Sequence, residues 1–263
     1  MSTEFVSTDI DDRGVATVTL DNPDKHNAFD DTIISQLTDA FSTVDADQHA
    51  RVMVLASRGR NFSAGGDLNW MKRMAAYTHE QNLQDSRALA EMLRVLNFMS
   101  RPTIARVQGV AFGGAVGLVS CCDMAVASAT ATFSLSEVKI GLMPATISPY
   151  VVAAIGARSA RRYFTTAERF SAEQAQAMGL VSELVADDSE LDAAVDALVS
   201  AILGNSPAAV AASKQLIFDV ANQPVEAELI EMTCQRIADI RASAEGQEGL
   251  TAFLEKRKPS WIQ

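Results

Sequence analysis

Two glycine pairs are the first residues in this sequence whose type and position could do chemistry. Gly65-Gly66 comes after a run typical of a buried strand, and Gly113-Gly114 opens a run typical of a helix. A glycine lacks a Cβ atom, so its backbone N–H can approach a ligand closely, and a helix N-terminus carries free N–H donors. Two such loops could direct two N–H groups at one oxygen atom, as an oxyanion hole requires.

Glu137 is the candidate for proton transfer. It lies in the largely apolar segment Phe133–Pro144. A carboxyl group in apolar surroundings has a raised pKa, which suits a group that takes up and releases protons near neutral pH. From the residues alone, the alternative is a solvated carboxylate paired with Lys139 or with a nearby arginine.

Other kinds of site find little support in the sequence. It contains no G-x-G-x-x-G, no G-x-x-x-x-G-K-[ST] and no G-x-S-x-G motif. The three histidines lie in polar surroundings, which argues against a histidine-based triad: they are His26, His49 and His79. Cys121, Cys122 and Cys234 match neither a disulfide framework nor a zinc site, so we expect no metal and reduced thiols.

Composition limits the class of protein. The 263 residues are 48% hydrophobic and 21% charged, which is ordinary for a globular chain. With 33 acidic and 22 basic residues the net charge is −11, so we expect no nucleic-acid partner and no attraction to anionic membranes. No apolar run is long enough to span a bilayer, and Met1–Phe5 has neither a basic start nor an apolar core. We therefore expect a cytoplasmic enzyme.

The elements that must position the glycines and the glutamate form an alternating pattern. Strands are predicted at Gly14–Leu20, Val52–Ala56, Pro102–Val107 and Met124–Ala127. Helices are predicted between them, from Asp30, at about 80–100 and at 113–121. Such repeated strand–helix units predict an α/β fold with right-handed crossovers.

The pattern changes after about residue 190. Nearly all of the remaining chain reads as helix, and Ser206 followed by Pro207 is a helix start signal. We predict two regions, an α/β core over residues 1–190 and a helical region over 191–263 that packs on the core or on a neighbouring subunit.

The glycine pairs and Glu137 belong to a longer set of segments that resembles one family. The matching segments are Asn22–Ala28, Phe62–Leu68, Gly109–Gly114, Cys122–Ala125, Phe133–Pro144, Ala175–Val181 and Phe253–Pro259. In this order and spacing they resemble the enoyl-CoA hydratase/isomerase (crotonase) superfamily over nearly the whole chain.

The resemblance implies a fold, an assembly and a substrate class. It implies a spiral of ββα units with a C-terminal helical trimerisation region, and homotrimers that often pair into hexamers as a dimer of trimers. The substrate would be a coenzyme A thioester, with no prosthetic group. The backbone N–H groups of Gly66 and Gly114 would hold the thioester oxygen while its enolate forms.

The resemblance also implies residues that bind the substrate. Lys25, Asn27 and Ala28 would line the pantetheine and phosphate part of coenzyme A, and Ala64, Asp67 and Leu68 would border the adenine and pantetheine. Phe253 and Lys256 would reach the adenosine 3′-phosphate of a neighbouring subunit. Lys25 and the run Lys256–Lys258 are the cations expected near this anionic ligand.

One departure from the family pattern concerns the catalytic residues. Hydratases of this family commonly use two glutamates, and the second matches Glu137. The first would fall at Gly117, which has no side chain, and a glycine that the family carries after Pro144 is Ala145 here. Three interpretations remain: Glu137 performs both proton transfers of a hydratase, a single carboxylate serves an isomerase, or Gly117 makes room for a branched or carboxylated acyl group.

The detailed pattern from Ala111 to Asp123 and from Leu135 to Leu142 resembles methylglutaconyl-CoA and γ-carboxygeranoyl-CoA hydratases, which act in leucine and acyclic terpene breakdown. We therefore expect a hydratase of the methylglutaconyl-CoA type. The alternatives are a Δ3-Δ2-enoyl-CoA isomerase and a catalytically silent acyl-CoA-binding protein. Four cations are candidates by type to bind an acyl carboxylate: Lys72, Arg158, Arg161 and Arg162.

Overall fold

A computed structural model describes residues 4–262, which form a mixed α/β fold. Residues 1–3, which belong to the N-terminal segment Met1–Phe5 expected to carry no targeting signal, and residue 263 lie outside the described residues. The strands are β1 Val6–Ile10, β2 Val15–Leu20, β3 Val52–Ser57, β4 Thr103–Val107, β5 Val110–Phe112, β6 Met124–Ser128, β7 Thr132–Ser134, β8 Phe170–Ser171 and β9 Glu183–Val185. The helices are α1 Asp31–Ala46, α2 Leu68–Met74, α3 His79–Asn97, α4 Gly114–Cys121, α5 Ser148–Thr166, α6 Ala172–Met178, α7 Leu191–Leu203, α8 Pro207–Val220, α9 Ala227–Ala242 and α10 Ala244–Glu255.

The strands form two sheets. The larger has the order β1-β2-β3-β4-β6-β9, and every pair in it is parallel except β1 with β2. The smaller has the order β5-β7-β8. Because β4 and β6 lie in the large sheet while β5 and β7 follow them in the small one, the chain repeats a strand–strand–helix unit, β4-β5-α4 and then β6-β7-α5.

Both faces of the large sheet are covered by apolar side chains. On one face α1, α3 and α4 contribute Phe41, Leu93 and Leu118 to the main core, where they pack with apolar side chains of the strands. On the other face α7 packs Val195 and Val199 against the valines and isoleucine of β2, β3, β4 and β6. Parallel strands buried on both faces read as continuous apolar runs, which is why these strands could be predicted from sequence.

From Leu191 onward the described chain is built of four helices, α7 to α10. Helix α7 starts at Leu191, and Ser206 caps α8 by accepting from the Ala209 N–H with Pro207 in the first turn. In α8 the buried Lys214 donates to Asp123 Oδ2 over 2.7 Å and to the Arg101 carbonyl over 3.0 Å. This ion pair fixes the C-terminal helices beside the end of α4.

No single helix within residues 4–262 is both long and apolar enough to cross a membrane. The helical stretches Asp188–Leu203 and Pro207–Val220 reach the required length and composition only when taken together, and the chain bends by 104° between them.

Candidate functional site

The two glycine loops are hydrogen bonded to each other. Segment 62–65 runs beside β5: the Ser63 N–H donates to the Val110 carbonyl over 3.0 Å, and the Phe112 N–H donates to the Ser63 carbonyl over 3.0 Å. The Ser63 hydroxyl, fully buried, accepts from the Gly65 N–H. The two loops therefore lie side by side, and the bridge between them fixes their relative position.

The two expected N–H donors are free to bind a ligand. The N–H of Gly114 is in the first turn of α4, where no carbonyl of the helix can accept from it. Gly65 and Asp67, on either side of Gly66, are hydrogen bonded to the backbone of Phe29. The N–H of Gly66 therefore points away from Phe29. Across residues 4–262 neither N–H has an acceptor.

Glu137 reaches the same place through the small sheet. Phe112 of β5 lies opposite Ser134 of β7, so Gly113 and the turn after β7 leave the sheet side by side. A Cβ atom built on Gly113 would stand 3.3 Å from Glu137 Oε1, and Gly113 adopts φ +55°, a conformation that favours glycine. A side chain at residue 113 would be strained by this backbone conformation and would press on the carboxyl, so glycine favours the close approach of Glu137 to the backbone that leads into Gly114.

The surroundings of Glu137 change its protonation. Oε2 is buried without a hydrogen-bond partner among the described residues, and burial raises the pKa of this carboxyl above its usual range. A carboxyl held this way takes up a proton more readily than one in water. The site therefore places a proton-transfer group against Gly113, next to the Gly114 N–H, on a loop bonded to the loop that carries Gly66. The N–H groups of Gly66 and Gly114 could stabilise a developing oxyanion.

The space at Gly117 is filled by the protein. A Cβ atom on this residue would come within 2.4 Å of Ile147 Cγ2 and 3.5 Å of Leu93 Cδ2. Gly117 is buried in α4, and Ile147 is 2% exposed. The interpretation that Gly117 makes room for an acyl group is therefore wrong, because Ile147 occupies that room.

Three of the residues expected to bind coenzyme A interact with one another or hold the loops. Lys25 Nζ lies 3.2 Å from Asp67 Oδ2, and Asp67 caps α2 by accepting from the N–H groups of Asn69 and Trp70. Burial alone would raise the pKa of Asp67, but the bonds from Trp70, Lys25 and Asn69 lower it overall. Asn27 is 1% exposed; its side-chain oxygen accepts from the Asn22 N–H, and its amide group donates to the carbonyls of Arg58 and Asn61. Its side chain shapes the loop.

The other expected binding residues are divided between two places. Ala28 is buried, and the Ala64 N–H donates to the His26 carbonyl, while Leu68 at the start of α2 is 72% exposed. Phe253 and Lys256 are instead at the end of α10, which packs on α8 and α9, and Phe253 is 82% exposed.

The candidate cations have different surroundings. Arg158, Arg161 and Arg162 line one open surface cleft of about 620 Å³, and Arg162 is paired with Glu168. In the C-terminal basic run, Arg257 forms ion pairs with Glu248 and Glu255, which leaves Lys256 and Lys258 as its ligand-binding candidates.

The cysteines behave as core residues or as surface residues. Burial raises the pKa of Cys121 well above its usual range, and burial followed by the charge of Asp123 raises the pKa of Cys122 to about 12. Thiols of this kind are poor nucleophiles at neutral pH. Within the described chain no three His, Cys, Asp or Glu side chains are grouped to hold a metal ion.

Sequence reasoning missed two residues that shape this site, Phe29 and Ile147. Phe29 follows the segment Lys25–Ala28 directly, yet no sequence signal shows that its ring reaches Gly114. The contact of Ile147 with Gly117 is likewise visible only in the folded chain.

Comparisons with known proteins agree with this geometry. The enoyl-CoA hydratase/isomerase family model matches residues 11–263. An enoyl-CoA hydratase structure from Shewanella pealeana is 44% identical, with a TM-score of 0.95, and the match covers 98% of this chain and 96% of that one. One from Mycobacterium smegmatis is 33% identical, with a TM-score of 0.92, covering 99% and 100%.

A curated relative, the 2,3-dehydroadipyl-CoA hydratase of Escherichia coli, is 32% identical over 250 residues, which are 94% of each chain. The α/β architecture, the joined glycine loops and these matches over almost the full length agree with one another. The chain is an enzyme of the enoyl-CoA hydratase/isomerase family.

Proposed function

We propose that this protein adds water to the double bond of a 2-enoyl-CoA thioester. The observation that carries the proposal is the position of the Glu137 carboxyl against Gly113, next to the unpaired N–H of Gly114 on a loop bonded to the Gly66 loop. Relatives named as enoyl-CoA hydratases support the same reaction.

In the proposed reaction Glu137 moves both protons. Its carboxylate takes a proton from water while the water oxygen bonds to C3, and the electron pair of the double bond moves onto the thioester oxygen. The N–H groups of Gly66 and Gly114 hold that enolate oxygen. Protonated Glu137 then gives its proton to C2, which restores the carboxylate and leaves a 3-hydroxyacyl-CoA. A backbone N–H group that holds such an oxyanion typically raises the reaction rate by about 10²–10³-fold.

One carboxylate is enough for this sequence of steps because both protons are transferred on the same face. The position expected for a second glutamate is Gly117, and Ile147 fills the space above it. The same observation favours a second candidate, a Δ3-Δ2-enoyl-CoA isomerase, in which Glu137 would move one proton between C2 and C4 without water.

For the acyl group we propose a branched or carboxylated chain such as 3-methylglutaconyl. The support is the sequence pattern and the E. coli relative, whose named substrate carries a second carboxyl group. Ile147 rules out Gly117 as the source of the room. Exposed apolar side chains on the turn after Glu137, Leu142 and Met143, are the residues we expect to border the chain.

We also propose that the chain assembles as a homotrimer or as a dimer of trimers. The support is a set of exposed apolar side chains on α8, α9 and α10, namely Ile217, Ile230, Ile237, Leu250, Phe253 and Leu254. Exposed large apolar side chains grouped on neighbouring helices are a common feature of protein interfaces.

The test is hydration of crotonyl-CoA and 3-methylglutaconyl-CoA, followed by the loss of conjugated-thioester absorbance, with wild type and Glu137→Gln. We expect turnover of the branched acid and at least about a hundredfold loss in the variant. A shifted double bond without water uptake would identify an isomerase. Tight binding of coenzyme A thioesters with no turnover would instead identify a silent binding protein.

A further inference from the structure

Phe29 contacts both of the loops that carry the N–H donors. Its backbone N–H donates to the Gly65 carbonyl over 2.8 Å, and its carbonyl accepts from the Asp67 N–H over 2.8 Å. The two bonds hold the residues on either side of Gly66. Because successive peptide groups point in opposite directions along an extended segment, this pairing fixes the direction of the Gly66 N–H.

The ring of Phe29 lies against the second donor. A Cβ atom built on Gly114 would stand 2.7 Å from Phe29 Cε2 and 3.6 Å from Cζ, so the ring edge packs directly on the Gly114 backbone. Phe29 is 2% exposed, so it does not reach a ligand itself. One residue therefore contacts the backbone of both donors from the interior side.

Phe29 is itself held in place from the following helix. Asp30 is the N-cap of α1 and accepts from the Ile33 N–H over 3.0 Å, which fixes the backbone immediately after Phe29. On the other side, the Ala28 N–H donates to the Lys25 carbonyl. Phe29 thus has little freedom to move when either glycine loop shifts.

We propose that Phe29 is a positioning residue that sets the separation and direction of the two N–H donors, its backbone fixing Gly66 and its ring fixing Gly114. The inference rests on the proposed function, since the donors matter only if they bind a thioester oxygen. The bridge between Ser63 and β5 joins the loops independently of the ring. A shorter side chain at residue 29 is therefore expected to leave the fold intact and to loosen the donors.

The first test compares Phe29→Leu with Phe41→Leu. Phe41 is a fully buried phenylalanine of α1 in the same core, so its substitution reports the loss of packing alone. We expect Phe29→Leu to lower kcat by at least about tenfold with KM changed by less than about threefold. Phe41→Leu should lower thermal stability but keep kcat. Equal losses of kcat in the two variants, or none in Phe29→Leu, would overturn the proposal.

A spectroscopic readout separates positioning from general damage. Cinnamoyl-CoA absorbs at longer wavelength when its carbonyl is polarised by hydrogen bonds, so the shift on binding reports the donors directly. We expect the shift in wild type and Phe41→Leu and a smaller shift in Phe29→Leu. If wild type shows the shift, lost in Phe29→Leu, but hydrates no enoyl thioester, the proposed function fails and the role of Phe29 stands. An unchanged spectral shift in Phe29→Leu overturns the positioning role of Phe29.

The contact between the ring and Gly114 gives a double-mutant test. Gly114→Ala should force the ring edge aside, and Phe29→Leu removes the Cε2 atom that a new methyl group would meet. The pair should therefore lose less activity than the product of the two single losses. Strictly multiplicative losses would contradict direct contact. Should Phe29→Leu fail to fold, Phe29→Met, whose long flexible side chain can fill part of the space but lacks the rigid ring, is expected to show the same reduced shift.

Discussion

At the scale of single residues, the position of the Glu137 carboxyl suits catalysis but is unfavourable for the stability of the fold. One of its oxygens is buried without a partner among the described residues, and burial raises its pKa. The folded state therefore binds this proton more tightly than the unfolded chain does, so stability falls as the pH rises through the interval between the two pKa values. At neutral pH the ionised carboxylate is a net cost to the fold.

We expect Glu137→Gln to have opposite effects on activity and stability. The amide cannot accept a proton, so hydration should fall by at least about a hundredfold, while removal of a desolvated charge should raise the melting temperature. Calorimetry at neutral pH beside the absorbance assay measures both. A lower melting temperature would show that the carboxylate is stabilised by its surroundings.

The rate of hydration should depend on pH in a defined direction. The reaction starts from the carboxylate, so kcat/KM is expected to fall as the pH decreases through the pKa of Glu137. Because that pKa is raised above the ordinary value of 4.5, the loss should begin at a higher pH than a solvated glutamate would give. A profile flat down to pH 4.5 would contradict the assignment of Glu137 as the base.

The two donor glycines should respond differently to a methyl group. A Cβ atom on Gly66 meets the flexible end of Met71, Cε at 2.9 Å, whereas one on Gly114 meets the Phe29 ring. We expect Gly66→Ala to keep activity within about threefold and Gly114→Ala to lose at least about tenfold, since small displacements of a reacting group are costly. Steady-state kinetics of both variants measure the difference. Equal kcat values for the two would argue against this steric account.

At the scale of elements, α4 packs closely against Ile147, at the start of α5, because Gly117 has no side chain. Gly117→Ala places a methyl group against the buried, branched Ile147. Overpacking of this kind should lower the free energy of unfolding by about 1–3 kcal/mol, measured by urea denaturation. Adding Ile147→Ala removes the atom at 2.4 Å and should recover part of the loss. If Gly117→Ala is as stable as wild type, the helices are less tightly fitted than described.

Much of the framework could be predicted because local sequence determines it. The apolar runs of β3, β4 and β6 and the helix start signal at Ser206 act over a few residues, and the structure confirms them. Short strands such as β5, β7 and β8 were missed because two or three residues carry too little pattern. The meeting of the glycine loops was expected, but the contacts that tune the site, Phe29 with Gly114 and Ile147 with Gly117, join residues far apart in sequence.

At the scale of the whole molecule, the exposed apolar side chains on α8–α10 predict association. We expect light scattering at micromolar concentration to give three or six times the chain mass. Ile237→Asp, which places a charge on a half-exposed apolar site of α9, should shift the population towards monomer. A monomeric wild type would contradict the proposal, and with it the expected contribution of Phe253 and Lys256 to a neighbouring subunit.

The interlocking of Gly117 and Ile147 restricts how this enzyme can change by mutation. A side chain at residue 117 is blocked while Ile147 keeps its branch, whereas shortening Ile147 first leaves only a small cavity. Substitutions at the two positions are therefore epistatic: a change at Ile147 followed by one at Gly117 keeps the fold, whereas the reverse order passes through a destabilised variant. A library randomised at residue 117 alone should return mainly glycine. One randomised at both positions could reach a second carboxylate in this active site.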